Sequence, residues 1–294
     1  MIERKPNTEY ILSLSYGKDS IDCLFAIEQL GWPLDRIVHA EVWATDTIPA
    51  DLPPMVEFKA KADAIIKERW GIEVEHVFAT DPKTGLKRSY KDRLYAPYVH
   101  RPKVANHGIW RGYGDPVVYG FPSRVKLWCN SQLKVAALSK EKKANSITYM
   151  GIAADEPERI ARHKKPGYLL PLVEIGWDEA YCRKWCEEND LLSPIYTTAT
   201  RGGCWFCHNQ GVDQLRLLRR DYPEYWALML KWDKDSPVTF KADGHTVHDF
   251  EARFAAEDAG LIDPEERFRW EMIGRKITKP RVELPGQIGM DELL

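Results

Sequence analysis

The sequence lacks four features, each of which would place it in a familiar class of protein. No apolar run approaches the ~18 residues that a membrane-spanning helix needs, and the first ten residues carry no apolar signal-peptide core. Lys and Arg number 42 against 44 Asp and Glu, and this net charge of −2 excludes a globally basic nucleic-acid coat but not a local basic face. Six cysteines in 294 residues are too few for a disulfide scaffold. We therefore expect a cytoplasmic protein without membrane contact, in which clustered cysteines indicate metal binding or catalysis.

Apolar residues change between strand-like runs and helix-like spacing along the first 80 residues. Strands joined by helices in this order favour parallel pairing, because the crossover connection returns each strand in the same direction. We predict an α/β fold with a mostly parallel sheet flanked by helices, followed by a helical C-terminal portion. The predicted strands are 10–15, 36–44, 73–78 and 146–151, and the predicted helices are 21–30, 54–70, 131–143 and 177–189.

Residues 81 to about 125 interrupt this pattern and are rich in Pro, Gly, Tyr and basic side chains. Basic groups neutralise phosphates and aromatic rings stack on bases, so the insertion predicts contact with a nucleic acid or a lid over a nucleotide. A solvated loop whose aromatic rings pack on the core is an equally compatible interpretation. We predict a nucleotide-binding domain over 1–212 that contains the insertion, and a helical portion over 213–294.

A small-residue segment lies between the first predicted strand and the first predicted helix. Backbone N–H groups at a helix start converge on one point, and the helix dipole favours an anion there. The spacing of a Walker A loop is absent, and an ordinary strand-to-helix turn capped by serine is the alternative. The predicted phosphate-binding residues are Ser13, Ser15, Gly17, Lys18, Asp19 and Ser20.

These residues resemble the S-G-G-x-D-S pyrophosphate loop of the PP-loop ATP pyrophosphatases, and in particular the phosphoadenosine phosphosulfate (PAPS) reductase-like family. Residues 44–47 are similar to that family's D-T segment, residues 128–134 to its C-x-x-x-L-K segment and residues 151–159 to its G-I-R-x-D-E-x-x-R segment. The resemblance covers roughly residues 8–210. It departs from the family at Tyr16, where the loop usually has Gly, and at Ala153, where Arg is frequent.

The resemblance implies an adenine nucleotide alpha hydrolase-like fold that binds ATP at the carboxyl ends of its strands. Mg²⁺ would bridge the phosphates, and cleavage to AMP and pyrophosphate would adenylate an acceptor. The implied catalytic residues are Lys18, Asp19, Asp155 and Arg159, with Lys18 as the main electrostatic stabiliser of the leaving group. Asp46, Thr47 and Gly151 are implied to face the nucleotide. Many relatives are homodimers, so a homodimer is compatible with this family.

Two cysteines follow a Gly-Gly turn as a C-x-x-C motif, Cys204 and Cys207, which is moderately specific for metal binding. Cys129 is a third candidate ligand. The resemblance implies a [4Fe–4S] cluster on these thiolates, whose open iron would carry a sulfide, supplied by a sulfur-donor protein, to an acceptor such as a nucleic acid. Zinc is the alternative, with His208 as a fourth ligand.

No cysteine follows Cys207, whereas PAPS reductases that use thiol chemistry carry a redox cysteine in a C-terminal E-C-G-x-H segment. This argues against a reductase of PAPS or adenylyl sulfate, which is the nearest alternative function. A non-catalytic nucleic-acid-binding module with a structural zinc site is the alternative from another class. We expect an ATP-binding enzyme that adenylates its acceptor and couples this step to sulfur transfer.

Overall fold

The computed structural model describes residues 2–98, 117–122, 127–197, 203–265 and 268–273. The chain divides into two compact units, of which the first comprises residues 1–89 and 129–205 and the second residues 90–128 and 206–294. Both units are therefore discontinuous in the sequence. The predicted division into residues 1–212 and 213–294 stays a prediction, and residues 99–116 and 123–125 of the basic insertion lie outside the described residues.

Regular structure within the described residues alternates between strands and helices in the first unit and is mainly helical in the second. The strands are β1 (Glu9–Leu14), β2 (Arg36–Glu41), β3 (Val74–Phe78), β4 (Pro97–Tyr98), β5 (Val117–Val118), β6 (Ser146–Tyr149) and β7 (Tyr168–Leu169). The α-helices are α1 (Lys18–Leu30), α2 (Pro53–Trp70), α3 (Tyr90–Leu94), α4 (Ala136–Lys140), α5 (Pro157–His163), α6 (Pro171–Ile175), α7 (Glu179–Glu188), α8 (Val212–Asp221), α9 (Pro223–Asp235) and α10 (Val247–Asp258).

A five-stranded, all-parallel sheet forms the centre of the first unit, in the order β3-β2-β1-β6-β7. This confirms the predicted α/β fold class. The chain builds outward from β1 through β2 to β3 and then returns to the other side of β1 with β6. Connections diverge at such a switch point and leave a crevice at the carboxyl ends of the strands, where open α/β sheets bind ligands.

The hydrophobic core of this unit lies between β1 and the helices that pack on it. Alternate residues of β1, among them Tyr10 and Leu12, are fully buried and face the apolar side of α1, where Leu24 is also fully buried. Phe25 packs its ring 3.7 Å from that of Trp185 on α7. Burial of these side chains fixes the direction of α1, and therefore the position of its first turn relative to the sheet.

Three helices and an aromatic cluster organise the second unit. Helix α10 begins with a capping box in which Thr246 Oγ1 accepts from Asp249 N–H at 3.1 Å and the Asp249 carboxylate accepts from Thr246 N–H at 2.8 Å. Tyr90 packs its ring 4.2 Å from that of Phe206. Because α8, α9 and α10 make up most of the described residues after 211, the predicted helical C-terminal portion is confirmed.

Among the described residues, no helix combines the length and the apolar character that crossing a bilayer requires.

One carboxylate is buried without full compensation inside the first unit. Asp22 on α1 is 0% exposed, and its Oδ1 accepts a hydrogen bond from Cys186 Sγ at 3.4 Å. Its Oδ2 has no hydrogen-bond partner in the described part of the chain. Burial raises the pKa of Asp22 from 3.8 to about 7. Cys182 and Cys186 share the face of α7 that packs on α1, and both are fully buried.

We expect Asp22→Asn to stabilise the protein at neutral pH. Because folding raises the pKa of Asp22, the folded state binds this proton more tightly, and the free energy of unfolding falls as the pH rises from about 4 to 7. An amide does not titrate in this range, so the variant avoids this fall in the free energy of unfolding, which is at most roughly 4 kcal/mol. Urea unfolding at pH 4 and pH 8 measures the gain, which is expected only at pH 8. Asp190→Asn, at an 86% exposed side chain, is the matched control. An equal effect of Asp22→Asn at both pH values would contradict the expectation.

Candidate functional site

The segment predicted to bind phosphate connects β1 to α1 at the carboxyl edge of the sheet. Ser20 Oγ accepts from Ser15 N–H at 3.1 Å and donates to the Gly17 carbonyl at 2.9 Å, which folds the loop onto the helix start. Gly17 is the N-terminal cap residue and supplies no side-chain cap. The cap residue itself therefore leaves the first-turn N–H groups of α1 without a side-chain acceptor, and this arrangement suits an anion.

Tyr16 stands where the resembled motif usually has Gly, and its side-chain contacts hold it in place. Its φ of 57° lies in the left-handed region that favours glycine, which is the usual residue at this point of the PP-loop motif. The side chain is 0% exposed, and its hydroxyl group donates to the Asp63 carboxylate on α2 and lies 3.1 Å from His76 Nε2 on β3. Tyr16 thus anchors the loop to the neighbouring strand and helix.

Gly151, which follows β6, permits a close approach of two backbones. A Cβ atom at this position would lie 2.5 Å from the Asp19 carbonyl oxygen and 2.6 Å from Ser20 Cα. Backbone atoms cannot yield as a flexible side chain does, so only glycine fits here. Gly151 was predicted as a nucleotide-facing residue, and the structure places it directly against the first turn of α1.

A cavity of about 460 Å³ opens beside this loop, within the first unit. Its volume lies in the range of small-molecule sites. Lys134 and Arg159 contribute positive charge to the lining, and Lys134 is exposed. Eight predicted site residues take part in the lining, namely Ser13, Ser15, Gly17, Asp19, Ser20, Gly151, Arg159 and Cys204.

Lys134 and Tyr196 line the cavity, but the sequence analysis did not name them as site residues. Lys134 belongs to the C-x-x-x-L-K segment, and that motif was a signal that could have identified it. Tyr196 belongs to none of the motifs. Its hydroxyl oxygen accepts from Lys18 N–H at 3.3 Å. This hydroxyl oxygen occupies the position in which a phosphate oxygen would accept from the first turn of α1.

Lys18 is absent from the described lining of the cavity. Its Nζ lies 2.6 Å from Asp19 Oδ1 and 3.4 Å from Glu179 Oε1. Burial disfavours the ammonium form, but the two carboxylates outweigh burial and raise the pKa of Lys18. The ion pairs connect the first turn of α1 with α7.

Three carboxylates gather at the same place. One oxygen each from Asp19, Glu156 and Glu179 lies within 4.8 Å of the others. Burial raises the pKa of Asp19, although the ammonium group of Lys18 opposes the shift. Carboxylate oxygens are the ligands that Mg²⁺ prefers, so the donor set fits the implied ion. Arg159 Nη1 donates to Glu156 Oε2 at 2.5 Å and holds that carboxylate at the cavity.

Three other predicted residues lie apart from the described cavity lining. Asp155 Oδ1 accepts from Glu179 N–H at 3.1 Å and so contributes to the start of α7. Asp46 and Thr47 are exposed on the turn after β2, where the Asp46 carbonyl oxygen accepts from Lys87 Nζ at 2.7 Å. The structure does not bring these three side chains to the loop.

The candidate metal-binding cysteines belong to different units. Cys129 and Cys204 lie in the first unit, whereas Cys207 and His208 lie in the second. All three cysteines are half-buried, and Cys204 takes part in the cavity lining. Within the described residues, two groups of three closely spaced metal-ligand atoms occur, one of two histidines and a carboxylate and the other of three carboxylates. The cysteine-bound cluster and its zinc alternative stay predictions.

A second titratable cluster lies beneath Tyr16. The Nδ1–H group of His39 donates to the Leu14 carbonyl at 2.9 Å, so Nε2 accepts from Lys59 Nζ at 2.8 Å. Burial and the ammonium group of Lys59 lower the pKa of His39 to about 3. Hydrogen bonds to Asp63 and Glu41 raise the pKa of His76 to about 9. No sequence motif pointed to this cluster.

Comparison with known proteins adds no family to this geometry. No family model matches the chain, and a search of curated proteins finds no match either. Fold and site thus define an α/β protein with a glycine- and serine-containing loop beside a charged cavity.

Substitution of Gly151 by a residue with a Cβ atom should lower the free energy of unfolding. We expect Gly151→Ala to lower the free energy of unfolding by about 1–3 kcal/mol, because the added methyl group overlaps the backbone of α1. Thermal unfolding measures this change. Gly203→Ala is the control, since a Cβ at Gly203 meets nothing within 4 Å. Equal stability of the two variants would show that the close approach is unimportant.

Proposed function

We propose that the chain is a nucleotide-activating enzyme of the PP-loop type, which binds ATP at the loop after β1 and transfers AMP to an acceptor. One observation carries the proposal. The serine- and glycine-containing loop stands at the switch point of a parallel sheet and opens into a cavity with cationic and carboxylate groups on its walls. Phosphates need the helix start and the cations, and a phosphate-bound Mg²⁺ needs the carboxylates.

The phosphates bind where the Tyr196 hydroxyl now accepts from Lys18 N–H. Tyr196 moves aside, and the first-turn N–H groups and the Ser15 hydroxyl donate to phosphate oxygens instead. Lys134 and Arg159 then balance the negative charge. The ion pair between Arg159 and Glu156 lies at the cavity wall, so the arginine exchanges one carboxylate partner for a phosphate.

The proposed reaction is displacement at the α-phosphorus. A nucleophilic atom of the acceptor forms a bond to that phosphorus, the bond to the bridging oxygen breaks, and pyrophosphate leaves. Asp19, Glu156 and Glu179 would hold Mg²⁺, which when bound neutralises charge on the phosphates. The chain's own cations stabilise pyrophosphate as it separates from AMP.

The proposal extends to sulfur transfer through the cysteines. Cys204 takes part in the lining of the same cavity as the phosphate loop, which supports attack of a sulfide on the carbon that bears the adenylated oxygen. A carbon–sulfur bond forms, the carbon–oxygen bond breaks, and AMP leaves. Cys129, Cys204 and Cys207 would hold a [4Fe–4S] cluster, or zinc with His208, because thiolates suit both. A nucleic acid is the proposed acceptor. The basic side chains of the insertion support this choice, because they can neutralise phosphates.

We expect Lys134→Ala to weaken ATP binding about ten- to a hundredfold, because a hydrogen bond to a charged group contributes roughly 1.5–3 kcal/mol. Isothermal titration with ATP and Mg²⁺ measures the change. Lys143→Ala is the matched control, since Lys143 is 69% exposed and pairs with Glu9 outside the described cavity lining. If both variants bind ATP as the unmodified protein does, the cavity is not the nucleotide site.

Product analysis tests the reaction itself. We expect exchange of labelled pyrophosphate into ATP, and release of AMP when the acceptor is present. Reduction of PAPS or adenylyl sulfate with thioredoxin, without cleavage of ATP, would favour the reductase alternative. Binding of nucleic acid with one bound zinc and no affinity for ATP would favour the non-catalytic binding module. Either result would overturn the proposed adenylation.

A further inference from the structure

A second set of ligand-type atoms lies outside the proposed phosphate and Mg²⁺ sites. His39 and Glu41 are two residues apart on one face of β2, and His76 is the register partner of His39 on β3. One ligand atom from each of His39, Glu41 and His76 lies within 4.8 Å of the other two. The parallel pairing of two strands thus creates the cluster.

Two separations within the cluster are close to those of ligands that share one ion. Glu41 Oε1 lies 3.6 Å from His39 Nε2 and 3.1 Å from His76 Nδ1. Ligand atoms bound to one ion at about 2.1 Å are roughly 3.0–3.4 Å apart at octahedral and tetrahedral angles. A small side-chain adjustment therefore brings the three atoms to bonding distance from a common centre.

Both histidines also have the partner that orients a metal ligand. The distal ring nitrogen of a metal-binding histidine almost always donates to a carboxylate or a backbone carbonyl. His39 Nδ1 lies 2.9 Å from the Leu14 carbonyl oxygen, and His76 Nε2 lies 2.8 Å from Asp63 Oδ2. These bonds direct His39 Nε2 and His76 Nδ1 toward Glu41.

Lys59 supplies the cation that this cluster contains in the structure. Its Nζ lies 2.8 Å from His39 Nε2, 3.0 Å from Glu41 Oε1 and 2.6 Å from Asp51 Oδ2. The Glu41 and Asp51 carboxylates thus both pair with this ammonium group, whereas Asp63 hydrogen-bonds to His76. A divalent ion would take the place of the ammonium group beside Glu41. Lys59 and Asp51 also take part in the cavity lining, which gives an ion a path to the cluster and Lys59 a space to move into.

We propose that His39, Glu41 and His76 form a binding site for a divalent transition-metal ion such as Zn²⁺, which displaces the Lys59 ammonium group from its contacts with His39 and Glu41. Two imidazoles and one carboxylate suit such an ion better than Mg²⁺. The site differs from the cysteine site in its residues and from the phosphate loop in its chemistry. It does not depend on the proposed adenylation, because all three ligands belong to β2 and β3.

Occupancy of this site would act on the phosphate loop through a short chain of contacts. His76 shares Asp63 with the hydroxyl group of Tyr16, the left-handed residue of the loop. An ion on His76 fixes that ring and, through Asp63, the tyrosine that anchors the loop. The ion is thus a structural support for the loop rather than a participant in phosphate chemistry.

The test is metal binding by the full-length chain with Zn²⁺ as the probe. After dialysis against buffered Zn²⁺, we expect the unmodified protein to retain one zinc more per chain than His76→Ala, by elemental analysis. Zinc held by cysteines is common to both proteins and cancels in the difference. Equal zinc contents in two folded proteins, checked by circular dichroism, would overturn the proposal.

Lys59→Met keeps the test decisive if His76→Ala fails to fold. Removal of the competing ammonium group should strengthen zinc binding at this site at least tenfold, a gain that impaired folding cannot imitate. Lys61→Met, on the same helix but with a 44% exposed side chain, should leave the affinity unchanged. If Lys59→Met binds zinc no more tightly than Lys61→Met, the cluster is an ion-pair network only, and the proposal fails.

Discussion

The approach of β6 to the first turn of α1 is the contact on which the candidate site depends. At Gly151 the two backbones lie so close that no side chain fits between them. This contact sets the loop after β1 beside the end of β6 and so closes one wall of the cavity. Parallel pairing makes the contact possible, because both strands then end at the same edge of the sheet.

Charges beside the cavity are arranged in pairs. Lys18 is held by Asp19 and Glu179, and Arg159 is held by Glu156. Partly buried charges need partners, since desolvation of an unpaired ion costs several kcal/mol. A phosphate and its cation can replace these partners without leaving any of the charges uncompensated. The cavity is thus suited to an ion-carrying ligand even though its own charges nearly balance.

The loop also rests on polar groups beneath it. Tyr16 reaches Asp63 and His76, and these connect to Glu41 and Lys59. A residue with positive φ that is not glycine persists only where its surroundings hold it. The contacts of the buried Tyr16 hydroxyl keep this residue in its positive-φ conformation, so glycine is not required at this point. The proposed metal site and the proposed phosphate site are therefore neighbours that share one anchoring tyrosine.

The amino-acid sequence alone determined the fold class and the position of the small-residue loop between β1 and α1. Period-two and helical apolar patterns are local signals, and they located β1, β2, β3 and β6 within a few residues. The two-residue strand β7 was missed, since two residues carry no periodicity. The predicted second strand ran to residue 44, but β2 ends at Glu41 because residues 42–50 form a turn with its own backbone hydrogen bonds.

Only the tertiary structure decided which side chains meet. Asp46 and Asp155 belong to motif-like segments, yet the fold places both apart from the described cavity lining. Lys134, Tyr196 and the pair His39–His76 come together across long separations in the chain. Strand register and helix packing create such contacts, and both depend on burial summed over the whole unit. A motif records local geometry, whereas a binding site depends on distances between segments that no single segment encodes.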